Sequence, residues 1–560
     1  MQTTIWINHI GFLPHGAKRF AVKHPKAATF EIVDRRDRSV AYAGQLQPAG
    51  GDLEEALVGD FTALEAPGTY FIRCGDAVSD ALVVHEGVYL AAMRAIYRYY
   101  PMQRCGDGDE GWHSPCHTAP ARDVETGQLR DVTGGWHQSC DTRKWLSGTS
   151  TGMLGLYALS QCQALWPWAR RQALDEMRWG NRYFHKMVRD DGGLMDFVSI
   201  PNDWDENGTR LLFSQDASFM TYYTVIAGQC MASRAFRGED DGYADRCLTI
   251  ARGLFAYADG DRMPGRYQPR AFKYHEYLPY IFRKSFRGSS CYYGDRLFAL
   301  TWLDEAGGGY LDLAADCADR YCALLRGGDV RRDLAAACLW LDQSRGELSA
   351  AFQAGNLGPL GLARLLDRAP DHPSAPRWRE AVRALATQAV LSAERNPFGL
   401  VPCYWYASGE GGGRPAGSAY YKYFFSDGAI NIGLNHDILQ KARFLIAAAP
   451  HTDCANACRA VAQRQVDWVL GCNPLGASTC EGLGRNHYQQ LINTDEFLPP
   501  VPQLPGAVQT GIGCIDGTDS IQLGVDLVSC EYDMPATSSL LAALADLVSC
   551  EITGTAAAPR

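Results

Sequence analysis

His85-Glu86-Gly87-Val88-Tyr89-Leu90-Ala91-Ala92-Met93-Arg94-Ala95-Ile96-Tyr97-Arg98-Tyr99-Tyr100-Pro101 is where the chain changes character. From Val88 to Tyr100 the residues suit a helix, and Pro101 is expected to end it. Upstream, short β-branched or aromatic runs alternate with turn residues. Thr4-Ile5-Trp6-Ile7, Arg19-Phe20-Ala21-Val22, Thr29-Phe30-Glu31-Ile32-Val33 and Thr69-Tyr70-Phe71-Ile72 are separated by stretches such as Pro14-His15-Gly16 and Ala66-Pro67-Gly68. That spacing predicts a small β-sandwich over residues 1–86.

Downstream, over residues 87–560, amphipathic helical segments recur. Leu311, Ala315, Ala318, Cys322 and Leu325 share one face at helical spacing. Other segments begin near Ser150, Arg170, Ala217, Tyr243, Ser289, Leu348, Trp378, Ala429, Cys454 and Pro535, about a dozen in all. Helices paired as hairpins close into a double-layered α-barrel or stack as an α-solenoid, and no fixed-period repeat favours the solenoid. Four connections, Ser199–Gln215, Gly260–Arg287, Pro397–Asp427 and Cys472–Asp526, are long enough to imply function.

At 560 residues and 46% hydrophobic, the chain has material for two or three domains with a large core. Its net charge of −10 argues against nucleic acid, which calls for a basic face. The first residues, Met1-Gln2-Thr3-Thr4-Ile5-Trp6, have neither the basic nor the apolar region of a signal peptide. No apolar run is read as approaching the roughly 20 residues of a membrane span. The 19 cysteines are odd in number and scattered, unlike a secreted disulfide framework. A cytoplasmic protein with no membrane partner is therefore expected.

The densest chemistry lies in Gly134-Gly135-Trp136-His137-Gln138-Ser139-Cys140-Asp141, followed by Thr142-Arg143-Lys144. Two glycines permit a tight turn, an indole offers a flat face and a carboxylate stands at the end. Such a loop suits a sugar ring with a water beneath it.

Three separated segments, in order, resemble glycoside hydrolase family 9 with an N-terminal immunoglobulin-like domain. The first runs from the sandwich through Tyr99-Tyr100-Pro101-Met102-Gln103-Arg104-Cys105-Gly106 and Pro115-Cys116-His117-Thr118 to Asp131-Val132-Thr133-Gly134-Gly135-Trp136-His137. The second is Val469-Leu470-Gly471-Cys472-Asn473-Pro474-Leu475-Gly476 with Glu481-Gly482-Leu483-Gly484, and the third is Cys530-Glu531-Tyr532-Asp533-Met534-Pro535. The resemblance implies an immunoglobulin-like β-sandwich followed by an all-α (α/α)6 barrel. It also implies cleavage of β-glycosidic bonds with inversion by two carboxyl groups set roughly 6.5–9.5 Å apart.

By that resemblance Glu531 is the general acid and Asp141 the general base. Glu531 is expected to open the last helix, where the helix dipole works against holding a proton. A capping glutamate and a loop aspartate are the plain alternatives. Gln138 departs from the pattern: it stands where the family has the first aspartate of an Asp-Ala-Gly-Asp segment. An amide can orient a water, but it cannot share negative charge with Asp141. After Gly484 the family's His-His-Arg cluster is also missing, and Arg485-Asn486-His487-Tyr488 stands there instead.

His487 is assigned a bond to a sugar hydroxyl, and Tyr532, beside the acid, a place among the substrate-binding residues. Arg143 and Arg485 would suit an anionic sugar, or are solvated loop arginines. Trp136 is the first choice for stacking on a pyranose. Tyr404, Trp405, Tyr406, Tyr420, Tyr421, Tyr423, Phe424 and Phe425 offer further platforms, most of them expected in packing.

Cys105, Cys116, His117 and His137 are the ligand types of a closed tetrahedral zinc. Spacing alone favours free thiols, but some family members hold a structural zinc at these motif positions. His113 is an alternative fourth ligand. Acidic turns at Asp203–Glu206 and Glu239–Asp241 are candidates for calcium, with solvation the plainer reading. The function expected is an exo-acting β-glucosidase, glucosaminidase or cellodextrinase on oligosaccharides. The alternative is a sugar-binding or regulatory protein that has lost hydrolysis.

Overall fold

The computed structural model describes residues 3–106, 115–140, 142–199, 210–265, 286–348, 357–407, 413–424, 433–487, 504–514, 521–522 and 530–553. Nine strands lie between Thr4 and Val84. One antiparallel sheet runs β1 (Thr4–Trp6), β2 (Arg19–Lys23), β6 (Leu57–Asp60), β5 (Gln47–Pro48). The other runs β4 (Val40–Gln45), β3 (Thr29–Asp34), β7 (Gly68–Cys74), β8 (Ala77–Val78), with β9 (Leu82–Val84) also on β7. Phe12, Phe20, Phe30, Ile32, Phe61 and Ile72 fill the space between the sheets.

The first helix, α1 (Val88–Tyr97), follows at once. Pro101 does not end it. A separate turn, Tyr99–Met102, contains Pro101 in its first turn, where the missing N–H loses no intrahelical partner. Eleven further helices of nine residues or more follow among the described residues. They are α2 (Gly152–Ser160), α3 (Trp168–Lys186), α4 (Phe219–Phe236), α5 (Asp241–Asp259), α6 (Ser290–Gly307) and α7 (Leu311–Ala323). Then come α8 (Gly358–Arg368), α9 (Ala375–Ala393), α10 (Asn435–Ala448), α11 (Ala455–Val469) and α12 (Met534–Thr553).

The even-numbered helices form a closed ring, each packed on the next and α12 returning to α2. Each odd-numbered helix lies outside on an even-numbered one. Sequence follows position. α4 is buried nearly all round, whereas α3 buries a stripe of Ala169, Ala173, Met177, Gly180 and Phe184. Where the ring closes, a Cβ on Gly155 would lie 2.9 Å from the Ser538 backbone, so glycine permits the α2–α12 approach.

Three expectations change. The stretch Met534–Ile552 is long and apolar enough to span a membrane by length and composition, but 72% of it is buried as the closing stave of the ring. No helix begins at Leu348, which pairs in a short strand with Trp340; α8 starts at Gly358. The connection after Pro397 holds three strands, Tyr404–Tyr406, Arg414–Ala416 and Ala419–Lys422.

The sandwich is bolted to the barrel by buried and half-buried polar groups. Tyr421 and Tyr423 both give their hydroxyls to Asp52. Asn8 Nδ2 and Gln463 Nε2 donate to Asp467 Oδ1 at 2.8 and 2.7 Å. Burial pushes the Asp467 carboxyl up to about 7. A raised carboxyl leaves the fold undisturbed below the unfolded value near 4, and its burden grows as pH rises toward 7. Asp467→Asn, which keeps an acceptor for both donors, should therefore gain stability over the wild type between pH 5 and pH 8, by about 1–3 kcal/mol at the upper end. Thermal melts across that range test this, and a difference independent of pH would refute it.

Candidate active site

Backbone pairing sets the loop. Cys105 N–H donates to the Gly135 carbonyl and His137 N–H to that of Gln103, both at 2.8 Å, laying residues 103–105 antiparallel to 135–137. Gly134 and Gly135 take φ of +83° and +74°, and a Cβ on Gly135 would lie 2.5 Å from Tyr183.

Trp136 does not face a sugar. It is fully buried, with Tyr100 and Phe184 against its ring and Gly180 and Gly152 beneath it. Its indole N–H donates to Glu176 Oε2 at 3.1 Å, and Glu176 also pairs with Arg104. The residue anchors the loop to α3.

The loop then crosses to the segment before α12. Ser139 pairs with Asp533, and Met534 N–H donates to the Gln138 carbonyl at 2.9 Å. Cys140 Sγ comes within 3.8 Å of Glu531 Oε1, across 391 positions of sequence. Asp141 lies outside the described residues, but it is joined directly to Cys140. Glu531 is half-buried, and its carbonyl accepts from Thr510 N–H at 2.7 Å.

Contrary to the expectation from sequence, Glu531 does not open the helix, which begins at Met534. It stands on an extended segment whose Tyr532 pairs with Gln509. The cap is Asp533, whose Oδ1 accepts from Ala536 N–H at 2.8 Å. Burial, with Asp437 nearby, holds the Asp533 carboxyl up at about 7. Gln138 lies against Gly148, where a Cβ would sit 2.4 Å from its Cδ. Its Oε1 is buried with no hydrogen-bond partner among the described residues.

Cys105, Cys116, His117 and His137 converge, all buried, with their ligand atoms within 4.8 Å of one another. Cys105 Sγ lies 3.7 Å from His117 Nδ1, and Cys116 Sγ 3.4 Å from His137 Nε2. A tetrahedral zinc would separate a sulfur and a nitrogen ligand by about 3.5 Å, so the donor set fits that ion.

The profile described as glycosyl hydrolase family 9 matches residues 89–511, and that of the cellulase N-terminal ig-like domain matches residues 1–79. The chain belongs to glycosyl hydrolase family 9. Endoglucanase D of Acetivibrio thermocellus is 28% identical over 298 residues, 46% of this chain and 45% of that protein. A cellodextrinase of Butyrivibrio fibrisolvens is 26% identical over 283 residues, 45% of this chain and 50% of that one. The match thus spans about half the length of these two relatives. Among solved structures, an endoglucanase of Alicyclobacillus acidocaldarius superposes with a TM-score of 0.69 at 20% identity, covering 97% of this chain and 99% of the other. A zinc-binding triple mutant of the family 9 endoglucanase J30 gives 0.68 at 19%, covering 96% and 99%. These likenesses show the immunoglobulin-like sandwich and the (α/α)6 barrel.

The remaining expectations for this family 9 chain divide. Tyr532 is buried, with its ring edge-on to Tyr99, whose hydroxyl donates to the Gln138 carbonyl. It packs the site rather than lining it. Arg143 is buried and its carbonyl accepts from Gln138 N–H, so it is not a solvated arginine. His487 is partly exposed, with Nδ1 3.3 Å from the Ser478 carbonyl.

Arg485 is taken by the sandwich. It pairs with Asp80 at 2.9 Å, and its N–H donates to His9 Nδ1. Of the further aromatics, Tyr406 and Tyr420 are partly exposed, Tyr404, Trp405, Tyr421, Tyr423 and Phe424 are buried, and Phe425 lies outside the described residues. In the acidic turn Glu239–Asp241 each carboxylate is engaged by an arginine. Glu239 pairs with Arg170, Asp240 with Arg178, and Asp241 with Arg237. Asp203–Glu206 and His113 lie outside the described residues. Sequence reasoning passed over Glu176, because a glutamate on an amphipathic helix reads as a surface residue.

Proposed function

We propose that this chain hydrolyses β-linked oligosaccharides of the cello type with inversion. The observation that carries the reading is the approach of Cys140 to the Glu531 carboxyl, which brings the two candidate carboxyl segments together. The names of its relatives, endoglucanase and cellodextrinase, support the substrate class.

In the reaction, the Glu531 carboxyl gives its proton to the glycosidic oxygen as the bond from that oxygen to the anomeric carbon breaks. A water attacks that carbon from the opposite face and gives its proton to Asp141. Gln138 orients the water through its amide. His487 donates to a sugar hydroxyl. A structural zinc on Cys105, Cys116, His117 and His137 would fix the loop, and no chemical step passes through it. Exo action on short chains in the cytoplasm is the setting we favour, and the mostly buried cysteines suit a reducing compartment.

The test is incubation with a panel of cello-oligosaccharides and aryl β-glycosides, following the product anomer. The expected product is the α-anomer. A β-anomer would overturn inversion. No turnover, together with measurable sugar binding, would favour the alternative of a non-hydrolytic binding protein, to which the missing first aspartate lends some support. Gln138→Asp should raise kcat on neutral β-glucosides by about tenfold, because a second carboxylate supports the base. A loss of activity would mean that the native substrate is matched to the amide.

A further inference from the structure

Lys144 is a fully buried lysine three residues beyond Asp141. Its ammonium donates to the Val132 carbonyl at 2.6 Å and to the Gly134 carbonyl at 3.0 Å. It lies 4.2 Å over the Tyr183 ring, whose hydroxyl donates back to the Lys144 carbonyl at 2.7 Å. Pairing of Lys144–Trp145 with Phe197–Val198 fixes its backbone.

The sequence positions give these contacts a consequence. Lys144 reaches back 12 and 10 positions, so its side chain closes residues 132–144 into a ring. Within that ring lie His137, Gln138 and Asp141. A buried ammonium is costly unless its donors are matched, and two carbonyls and an aromatic face do so here. An apolar side chain of the same length would leave both carbonyls without that donor.

We propose that Lys144 is a positioning residue that clasps the loop and couples metal retention to catalysis. With the ring closed, His137 stays in reach of Cys116 while the residues after it stay against the Glu531 segment. The catalytic half of this rests on the function proposed above; the metal half does not.

The test uses the full chain loaded with zinc, and with cobalt for its thiolate charge-transfer band. Lys144→Met should release metal to a chromogenic chelator about tenfold faster or more, in the range of lost outer-shell contacts. It should lower kcat on a cello-oligosaccharide about tenfold, with KM within about twofold. Lys144→Arg, which keeps charge and donors, should stay within about threefold of wild type in both. Should Lys144→Met fail to fold, Lys144→Gln, which keeps a donor without charge, carries the test.

A wild-type release rate in the uncharged variants would overturn the proposal, as would faster release with kcat unchanged. A wild-type chain that binds no metal would overturn it too. Faster metal release in a chain that never cleaves sugars would support the clasp and remove only the catalytic reading.

Discussion

Glu531→Gln is expected to lower kcat on a cello-oligosaccharide by about 10²–10⁴-fold while KM stays within about twofold. The glutamine matches the glutamate in shape and keeps an oxygen toward Cys140. The Thr510 bond to the residue 531 carbonyl is a backbone bond and survives the change. What disappears is the proton for the leaving oxygen. A dinitrophenyl glycoside, whose leaving group departs without protonation, separates acid catalysis from structural damage. On that substrate the variant should retain most of its kcat. Equal losses on both substrates would assign Glu531 a structural role, and no loss on either would remove it from the reaction.

The sandwich was legible where strands are β-branched and aromatic. Arg19–Lys23, Thr29–Asp34 and Gly68–Cys74 lie within two residues of the sequence reading. Val40–Gln45 was not, because Val-Ala-Tyr-Ala-Gly-Gln has small residues and faces solvent on an outer strand. Most barrel helices were located to within a few residues, since outer helices carry a stripe and inner ones an unbroken apolar run. The ring itself was not legible from periodicity. Periodicity records which face is buried and not which helix buries it, so by itself it leaves barrel and solenoid open; the family resemblance implied the (α/α)6 barrel, and α12 packed against α2 bears it out. Length and composition likewise cannot tell a closing stave from a membrane span.

The site was legible as a set of segments and illegible as a surface. The loop, the candidate acid segment and the four candidate metal ligands were identifiable because resemblance fixes positions along the chain. Orientation has no such signal. Trp136 reads as a platform from its place before an acid, but its buried N–H needs Glu176, and that partner lies 40 positions away on another helix. Arg485 reads as a sugar ligand until Asp80 of the sandwich takes it. Glu531 and Asp533 are two residues apart in one motif, and only the hydrogen bond to Ala536 decides which is the cap.

Joint replacement of Cys116 and His117 by alanine should remove bound metal from about one per chain to none, as mass analysis of the untreated protein would register. The reason lies in what the remaining pair can do. Cys105 and His137 alone offer two ligands, too few to close a tetrahedral site. They would also be left in a buried pocket emptied of a thiol and an imidazole, where polar groups need partners. The fold should survive, because the ring of six helices closes elsewhere, but the apparent melting temperature should fall by about 5 °C or more.

The effect on catalysis should be larger than the effect on folding. His137 stands four residues before Asp141 and its N–H is held by Gln103, so loss of the metal frees the loop at its base. A base displaced by about 1 Å is enough to lower kcat by about 10²-fold. Stripping the wild type with a chelator should reproduce both changes, and zinc should reverse them in the wild type but not in the variant. Metal retained at one per chain in the variant would refute the ligand set, and full activity in a metal-free chain would refute the loop's dependence on it.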